Sequence, residues 1–215
     1  MIIAIDGPAA SGKGTLARLL AKHYGLAYLD TGSLYRAVGQ AVLAAGKDPH
    51  DEAAALHAAH MLDTANIDEK AIRTAEAGNA ASVVAAMQPV RAAILDFQRN
   101  FAKNPPKSAK GSEKGAVLDG RDIGTVVCPD ADVKLFVTAS AEVRAHRRWL
   151  ELKNSGSDVT EAQVLADVRE RDKRDTERAT SPLRPAPDAH LLDTSNLSIE
   201  TAFDAAVAII DGSMS

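Results

Sequence analysis

One cysteine, Cys128, leaves this 215-residue chain without an internal disulfide framework or a cysteine-rich zinc site. No basic cluster stands beside it and Pro129 follows, so Cys128 reads as a small apolar filler rather than a reactive thiolate. Basic residues are not in excess either. Against 25 Lys and Arg stand 29 Asp and Glu, a net charge of −4, which argues against a general nucleic-acid binder. No apolar run approaches the roughly 20 residues of a membrane span, and no basic leader precedes the first apolar stretch. The expectation is a soluble, cytoplasmic protein that binds neither nucleic acid nor membrane. There is no internal repeat, and 215 residues suffice for one domain with insertions and a sizeable core.

What is present begins at the first residues, MIIAIDGPAASGKGT. Ile2 to Ile5 read as a short buried strand, and Leu16, Leu19 and Leu20 recur at helical spacing, so Gly7 to Gly14 turns from a strand into a helix. Gly7 and Gly12 allow backbone angles that let successive N–H groups point inward, at the start of a helix whose dipole favours anions. Lys13 adds a mobile positive charge for the β- and γ-phosphates. The cradle comprises Gly7, Pro8, Ala9, Ala10, Ser11, Gly12, Lys13, Gly14 and Thr15. The general pattern places Ser or Thr directly after the lysine, where its hydroxyl reaches Mg²⁺; here Gly14 stands there and Thr15 follows. Direct and water-mediated contact of Thr15 with the metal both stay open. GKGT resembles the nucleoside monophosphate kinases more than GTPases or motor ATPases.

A helix is expected to about Tyr24, ended by Gly25, and Leu26 to Leu29 reads as a second strand. Then comes DTGSLYR, with Thr31 or Ser33 as the cap of the next helix and Tyr35 and Arg36 in its first turn. Ligands of open α/β sheets sit at the carboxyl ends of strands, which makes Arg36 a candidate ligand rather than a solvated side chain. Ala37 to His60 is helical with a break near Gly46-Lys47-Asp48-Pro49, whereas Met61 to Ala77 has too little periodicity for any element. Val83, Met87, Val90, Ile94, Phe97 and Phe101 form an apolar helical stripe that belongs in a core. Pro89 starts a new helix or kinks the old one, which can bring Ser82 and Arg91 to a common cleft. Lys103 to Gly115 reads as a solvated loop or hinge.

Ala116 to Leu118 is a third strand that delivers DGRDIGT, residues 119–125, to the same rim. Two aspartates flanking an arginine suit ligand or metal work, and DGRD is equally a good turn. Val133 to Val137 is a fourth strand, and the helix after it carries Arg144, Arg147 and Arg148 on one face. A break at 154–158 separates it from a helix holding RERDKRDTER, residues 169–178. Such a run can be a solvated face, yet Arg171, Arg174, Asp175 and Arg178 share one side, three cations to one anion, and an unpaired arginine cluster suits phosphate. Ala189 to Leu192 is a fifth strand and Ile199 to Ile210 a closing helix. Strands alternating with helices predict an α/β fold, a parallel sheet covered on both sides, with segments 61–113 and 149–161 as mobile flaps.

Taken together, GPAASGKGT, DTGSLYR, GNAAS with Arg91, DGRDIGT, and RDKRDTER followed by Pro182-Leu183 resemble the bacterial cytidylate kinases from end to end. The first motif marks P-loop kinases in general, whereas DTGSLYR, DGRDIGT and the RDKRDTER run with Pro182-Leu183 are specific to this family. The chain is shorter than the family pattern between about Leu62 and Ala71, where the family carries a small sheet, and longer over 103–114. The resemblance implies a P-loop kinase fold over 1–215 as a single domain, a five-stranded parallel sheet with helices on both faces, a CMP-binding insert at 61–113 and a short lid at 149–161. It implies ATP-dependent phosphorylation of CMP and dCMP, with Mg²⁺ accompanying ATP, by a monomer. Gly7 to Thr15 would hold ATP. Arg36 and Arg121 would grip the acceptor phosphate, Arg171 and Asp175 the sugar, and Arg178 the sugar or the transferring phosphoryl group. Ser82, Arg91 and Asp122 would read cytosine, with Thr31, Tyr35, Asp119 and Gly120 completing the CMP site. Lid residues Arg147 and Arg148 would close over the ATP phosphates. Lys13, Arg121 and Arg178 are thus the expected catalytic residues, and no metal ligand is singled out. Two alternatives stay open: a small-molecule kinase of the same fold whose hydroxyl acceptor would use Asp30 or Asp119 as base, and a nucleotide-binding regulatory module.

Overall fold

The structure, a computed structural model, describes residues 1–64, 66–106, 114–154 and 156–214. Most of the expected 103–114 loop therefore lies outside the described residues. Five strands, β1 (Ile2–Asp6), β2 (Ala27–Asp30), β3 (Ala116–Gly120), β4 (Val133–Thr138) and β5 (His190–Asp193), form one parallel sheet in the order β2-β3-β1-β4-β5. Side chains of a strand alternate between faces, so Ile3 and Ile5 of β1 pack with Leu16 and Leu20 of α1 (Lys13–Tyr24) and Ile210 of α8 (Ile199–Ser213). Ala4 faces the other way, with Leu118, Ala102 of α5 (Gln88–Lys103) and Ile123. Both faces of the sheet are thereby covered, which is why its strands read as near-continuous apolar runs.

A second core joins Leu34, Val38 and Val42 of α2 (Thr31–Ala44) to Ala55 of α3 (Glu52–His60), Val84 of α4 (Ala75–Val84) and Val90 and Ile94 of α5. Of the expected apolar stripe, Val90 and Ile94 are buried and Val83, Met87, Phe97 and Phe101 half-buried, and the stripe is divided between two helices. Residues 85–87 break it, Pro89 enters the first turn of α5, and α4 and α5 meet at 100°. The segment 61–74 contains no strand among its described residues, only a single tight turn at Ala71–Arg73. Helices α6 (Ala141–Asn154) and α7 (Glu161–Glu177) form a hairpin with its own small core, Ala145, Val164 and Val168 under Trp149 and Leu165.

The cap of α2 differs from the expectation. Asp30, not Thr31 or Ser33, is the cap, its carboxylate accepting the Ser33 N–H at 3.1 Å. The helix therefore starts at Thr31, and Arg36 lies in the second turn. Asp30 outcompetes the hydroxyls because a carboxylate makes the stronger, charge-assisted bond to an orphan N–H.

Candidate active site

Strand register places the chemistry. Asp30 at the end of β2 pairs with Asp119 of β3, which sets their carboxylates side by side on one rim, whereas Asp6 of β1, paired with Gly120, turns to the opposite face of the sheet. Above Asp30 and Asp119 opens a cavity of about 750 Å³, lined by ten basic and six acidic side chains in a protein whose net charge is −4. That volume falls in the range of small-molecule sites. The surplus of cations is local and points to an anionic ligand.

The phosphate loop forms one wall, from Ala9 to Thr15. Gly12 is left-handed at φ 85° and caps α1, and Ala10, although it carries a Cβ, also has a positive φ of 59°. Such strain in a non-glycine residue is characteristic of functional loops. Gly7 and Pro8 stand behind the wall: a Cβ on Gly7 would lie 2.0 Å from the Val137 carbonyl oxygen, and the Pro8 carbonyl accepts from Lys13 Nζ at 3.4 Å. Burial, reinforced by the nearby Arg121, pushes Lys13 down to about 7.

Gly14 has its own reason. A Cβ there would meet Asp119 Oδ2 at 3.0 Å, so the space that a serine would occupy is filled by the Asp119 carboxylate. Tyr28 donates to that oxygen at 3.2 Å, and Thr31 Oγ1 donates to the Asp119 carbonyl at 2.7 Å. Burial raises Asp119 to about 6 even though Lys13 opposes the shift.

Across the cavity stand Arg36, Arg121, Arg171 and Arg178. Arg36 bonds Asp30 at 2.6 Å and Arg121 Nε bonds Asp175 at 3.0 Å. Burial works against both carboxylates, yet these arginines hold Asp30 and Asp175 below their ordinary values. Burial and the neighbouring Arg121 push Arg171 down to about 10. Arg178 closes α7 and donates to the Ser181 carbonyl at 2.5 Å. Arg174, expected on the same face, points elsewhere: it is absent from the cavity wall and bonds Glu170 at 2.7 Å, one turn back. A third group lies deeper. Arg91 bonds Asp122, donates to the Ala85 carbonyl at 3.1 Å and lies 5.4 Å from the Tyr35 ring centroid, with Ser82 on the same wall. The helix break at 85–87 brings Ser82 and Arg91 to one cavity.

Six buried side-chain polar atoms have no hydrogen-bond partner among the described residues, and five belong to residues of this wall: Ser11 Oγ, Arg36 Nε, Ser82 Oγ, Arg171 Nε and Arg178 Nη2. Buried polar groups are rarely left so, and their convergence marks the outline of a ligand.

The expected α6 arginines separate. Arg147 lines the cavity but donates to Thr194 Oγ1 at 3.1 Å and to the Thr194 carbonyl at 2.8 Å, while Arg148 lines it and pairs with Glu151 at 3.1 Å. Arg144 is buried behind the wall and bonds Asp172. Sequence reasoning missed Asp6, whose two oxygens accept the N–H groups of Ile123 and Gly124 at 2.8 Å each, fixing the chain that follows Arg121 and Asp122. It also missed Arg18, Arg73 and Thr194 on the wall, and gave no role to Asn79 within GNAAS. A single Asp in the motif IDGP, 117 residues before its partner, carries no local signal of that role.

A family model described as cytidylate kinase matches residues 3–212. The cytidylate kinase of Rhodospirillum rubrum is 61% identical over 98% of this chain and 97% of its own, and that of Xanthobacter autotrophicus 62% identical over the same shares. Among solved structures, an uncharacterized protein from Eubacterium ventriosum superposes with a TM-score of 0.56 at 17% identity, covering 98% of each chain, a likeness of fold alone.

Proposed function

The chain belongs to the cytidylate kinase family, and from that premise we propose how its residues carry out phosphoryl transfer from ATP to CMP. The observation that supports the reading most is one cavity with two anion-binding groups, the loop of Ala9 to Thr15 and the arginines 36, 121, 171 and 178. A protein that only sensed ATP would need the first alone.

In this reading Gly7 to Thr15 hold ATP, and Lys13 neutralises charge on its terminal phosphates. Arg36 and Arg121 hold the acceptor phosphate. Arg171 and Asp175 hold the sugar, of CMP or dCMP, and Arg178 reaches the sugar or the transferring group. Thr31, Tyr35, Asp119 and Gly120 shape the pocket, and Ser82, Arg91 and Asp122 meet cytosine. Phosphoryl transfer proceeds through a loose transition state with charge on the equatorial oxygens, so preorganised cations do most of the work. The acceptor is a phosphate oxygen, ionised near neutral pH, and no general base is required. Asp119 then need not act as a base. Beside Lys13 on the rim it fits Mg²⁺, which keeps most of its waters and takes one or two carboxylates besides the phosphates, while both oxygens of Asp30 are engaged by Arg36 and the Ser33 N–H. Bound with ATP, the ion would supply charge neutralisation at the phosphates, with Asp119 in the space that a hydroxyl after the lysine otherwise fills.

We read 1–215 as a single kinase domain in which 61–113 is the CMP-binding insert and 149–161 the lid that brings Arg147 and Arg148 over the ATP phosphates. Its expected setting is the cytoplasm, as a monomer. Steady-state turnover with CMP, dCMP, UMP, AMP and no acceptor tests the proposal. Preference for CMP and dCMP is expected, and equal ATP hydrolysis with or without acceptor would refute it.

A further inference from the structure

The phosphate loop must aim N–H groups at an anion and keep its carbonyls away, and two of its carbonyls are held by residues remote in sequence. Arg144, on α6, is buried and absent from the cavity wall. Its guanidinium donates to the Ala9 carbonyl at 3.2 Å and the Ala139 carbonyl at 2.8 Å, and binds both oxygens of Asp172, on α7, at 2.9 and 2.5 Å. In a trans peptide the C=O and N–H point in opposite directions, and no cis bond occurs among the described residues. Holding the Ala9 carbonyl toward Arg144, away from the cavity, therefore turns the Ala10 N–H the other way. It also explains how Ala10 sustains φ 59° without being glycine.

The second carbonyl is that of Ser11. Thr194, just past β5, places its hydroxyl 3.0 Å from it. The same hydroxyl lies 3.1 Å from the Thr138 carbonyl, which also accepts the Thr194 N–H at 2.8 Å; the Ser11 carbonyl is the nearer acceptor for the hydroxyl proton and has no such N–H from Thr194. By the same trans geometry the Gly12 N–H is turned from the Thr194 side. Arg147 holds Thr194 in turn through its hydroxyl and its carbonyl.

We propose that Arg144 and Thr194 are positioning residues that preset the phosphate loop by fixing its peptide planes at 9–10 and 11–12. Arg144 does not reach the cavity, and Thr194, which lines it, has its hydroxyl turned to the loop carbonyl. Because Arg144 also clasps Asp172, whose helix carries Arg171 and Asp175, the orientation of the donor loop is tied to the element that presents the acceptor arginines. The inference rests on the kinase reading of the cavity.

Thr194→Val keeps the volume and removes the hydroxyl. Arg144→Lys keeps a cation against Asp172 but replaces the planar fork, whose separate nitrogens reach Asp172 and the Ala139 and Ala9 carbonyls, by a single ammonium nitrogen that lacks that geometry. Equilibrium binding of ATP and, separately, of CMP is measured by calorimetry on the parent and on both variants. Expected is ATP binding weakened about tenfold in each, the size of one well-placed hydrogen bond, with CMP binding within about twofold and Thr194→Ser restored to parental behaviour. Equal weakening of ATP and CMP would reduce both residues to a general structural role, and unchanged ATP binding would remove the loop-setting role altogether; either overturns the proposal. A parent that binds neither nucleotide refutes the kinase reading instead.

Discussion

Asp122→Asn tests the base-reading group through the pair it forms with Arg91. Both side chains are nearly closed to solvent, at 6% and 9% exposure, so the pair is screened little by water. Burial opposes the charge on Arg91, yet Tyr35 and Asp122 hold its pKa above the ordinary value. The amide keeps the size of the carboxylate and removes its charge. A hydrogen bond to a charged group contributes about 1.5–3 kcal/mol, so a neutral replacement should cost about 1–3 kcal/mol of folding stability. For a chain of this size each kcal/mol lowers Tm by roughly 2–4 °C, which predicts a fall of about 2–12 °C. The catalytic consequence is separate. An ionised carboxylate only accepts hydrogen bonds, so it favours the exocyclic amine of cytosine over the carbonyl of uracil, whereas an amide can present either polarity. The ratio of kcat/KM for CMP over UMP should narrow by about tenfold or more, the size of 1–2 kcal/mol. Differential scanning fluorimetry and steady-state kinetics with both nucleotides suffice. An unchanged ratio with equal loss toward CMP and UMP would mean that Asp122 serves position alone and the base is read elsewhere.

Lys13→Met should leave melting nearly unchanged and lower turnover at saturating ATP by about 10²-fold or more, comparable with the loss of one preorganised transition-state donor; a loss under threefold contradicts its phosphate role. Arg178→Ala removes one bond to the Ser181 carbonyl, about 1 kcal/mol of stability, and should cost far more in turnover than in Tm, whereas normal CMP kinetics would make it a structural arginine. Asp6 is raised from 3.8 to about 7 by burial, so the folded state holds a proton that the unfolded chain has released over that interval. Its contribution is full below pH 4 and is lost as pH rises to 7, by at most about 1.4 kcal/mol per unit. The stability advantage of the parent over Asp6→Asn should therefore shrink between pH 5 and 7.5 in urea titrations, and a constant difference would show that Asp6 does not titrate there.

Local chemistry was enough for much of this protein. The phosphate loop was legible because strand, glycines, lysine and helix lie within fifteen residues, and their angles and charges act at short range. The alternation of strands and helices likewise implied the parallel sheet, since parallel strands need crossovers and the crossover helices bury both faces. Arg36, Ser82, Arg91, Asp122, Arg171 and Asp175 could be named from motifs. What they do to one another could not. That Asp122 is bonded to Arg91, that Asp175 takes Arg121 and that Arg174 is diverted to Glu170 follow from how α5, β3 and α7 pack around the rim. The three arginines of α6 share one face in sequence, yet packing divides them: Arg144 is buried behind the loop, Arg147 holds Thr194 and Arg148 remains with Glu151. Asp6 and Gly14 show the same limit, for one is explained by N–H groups more than a hundred residues away and the other by the Asp119 carboxylate at 3.0 Å. Periodicity reports which face a side chain takes. Only the folded chain decides which distant donors and acceptors that face meets, because hydrogen bonds and ion pairs depend on ångström-scale separations that sequence spacing does not encode.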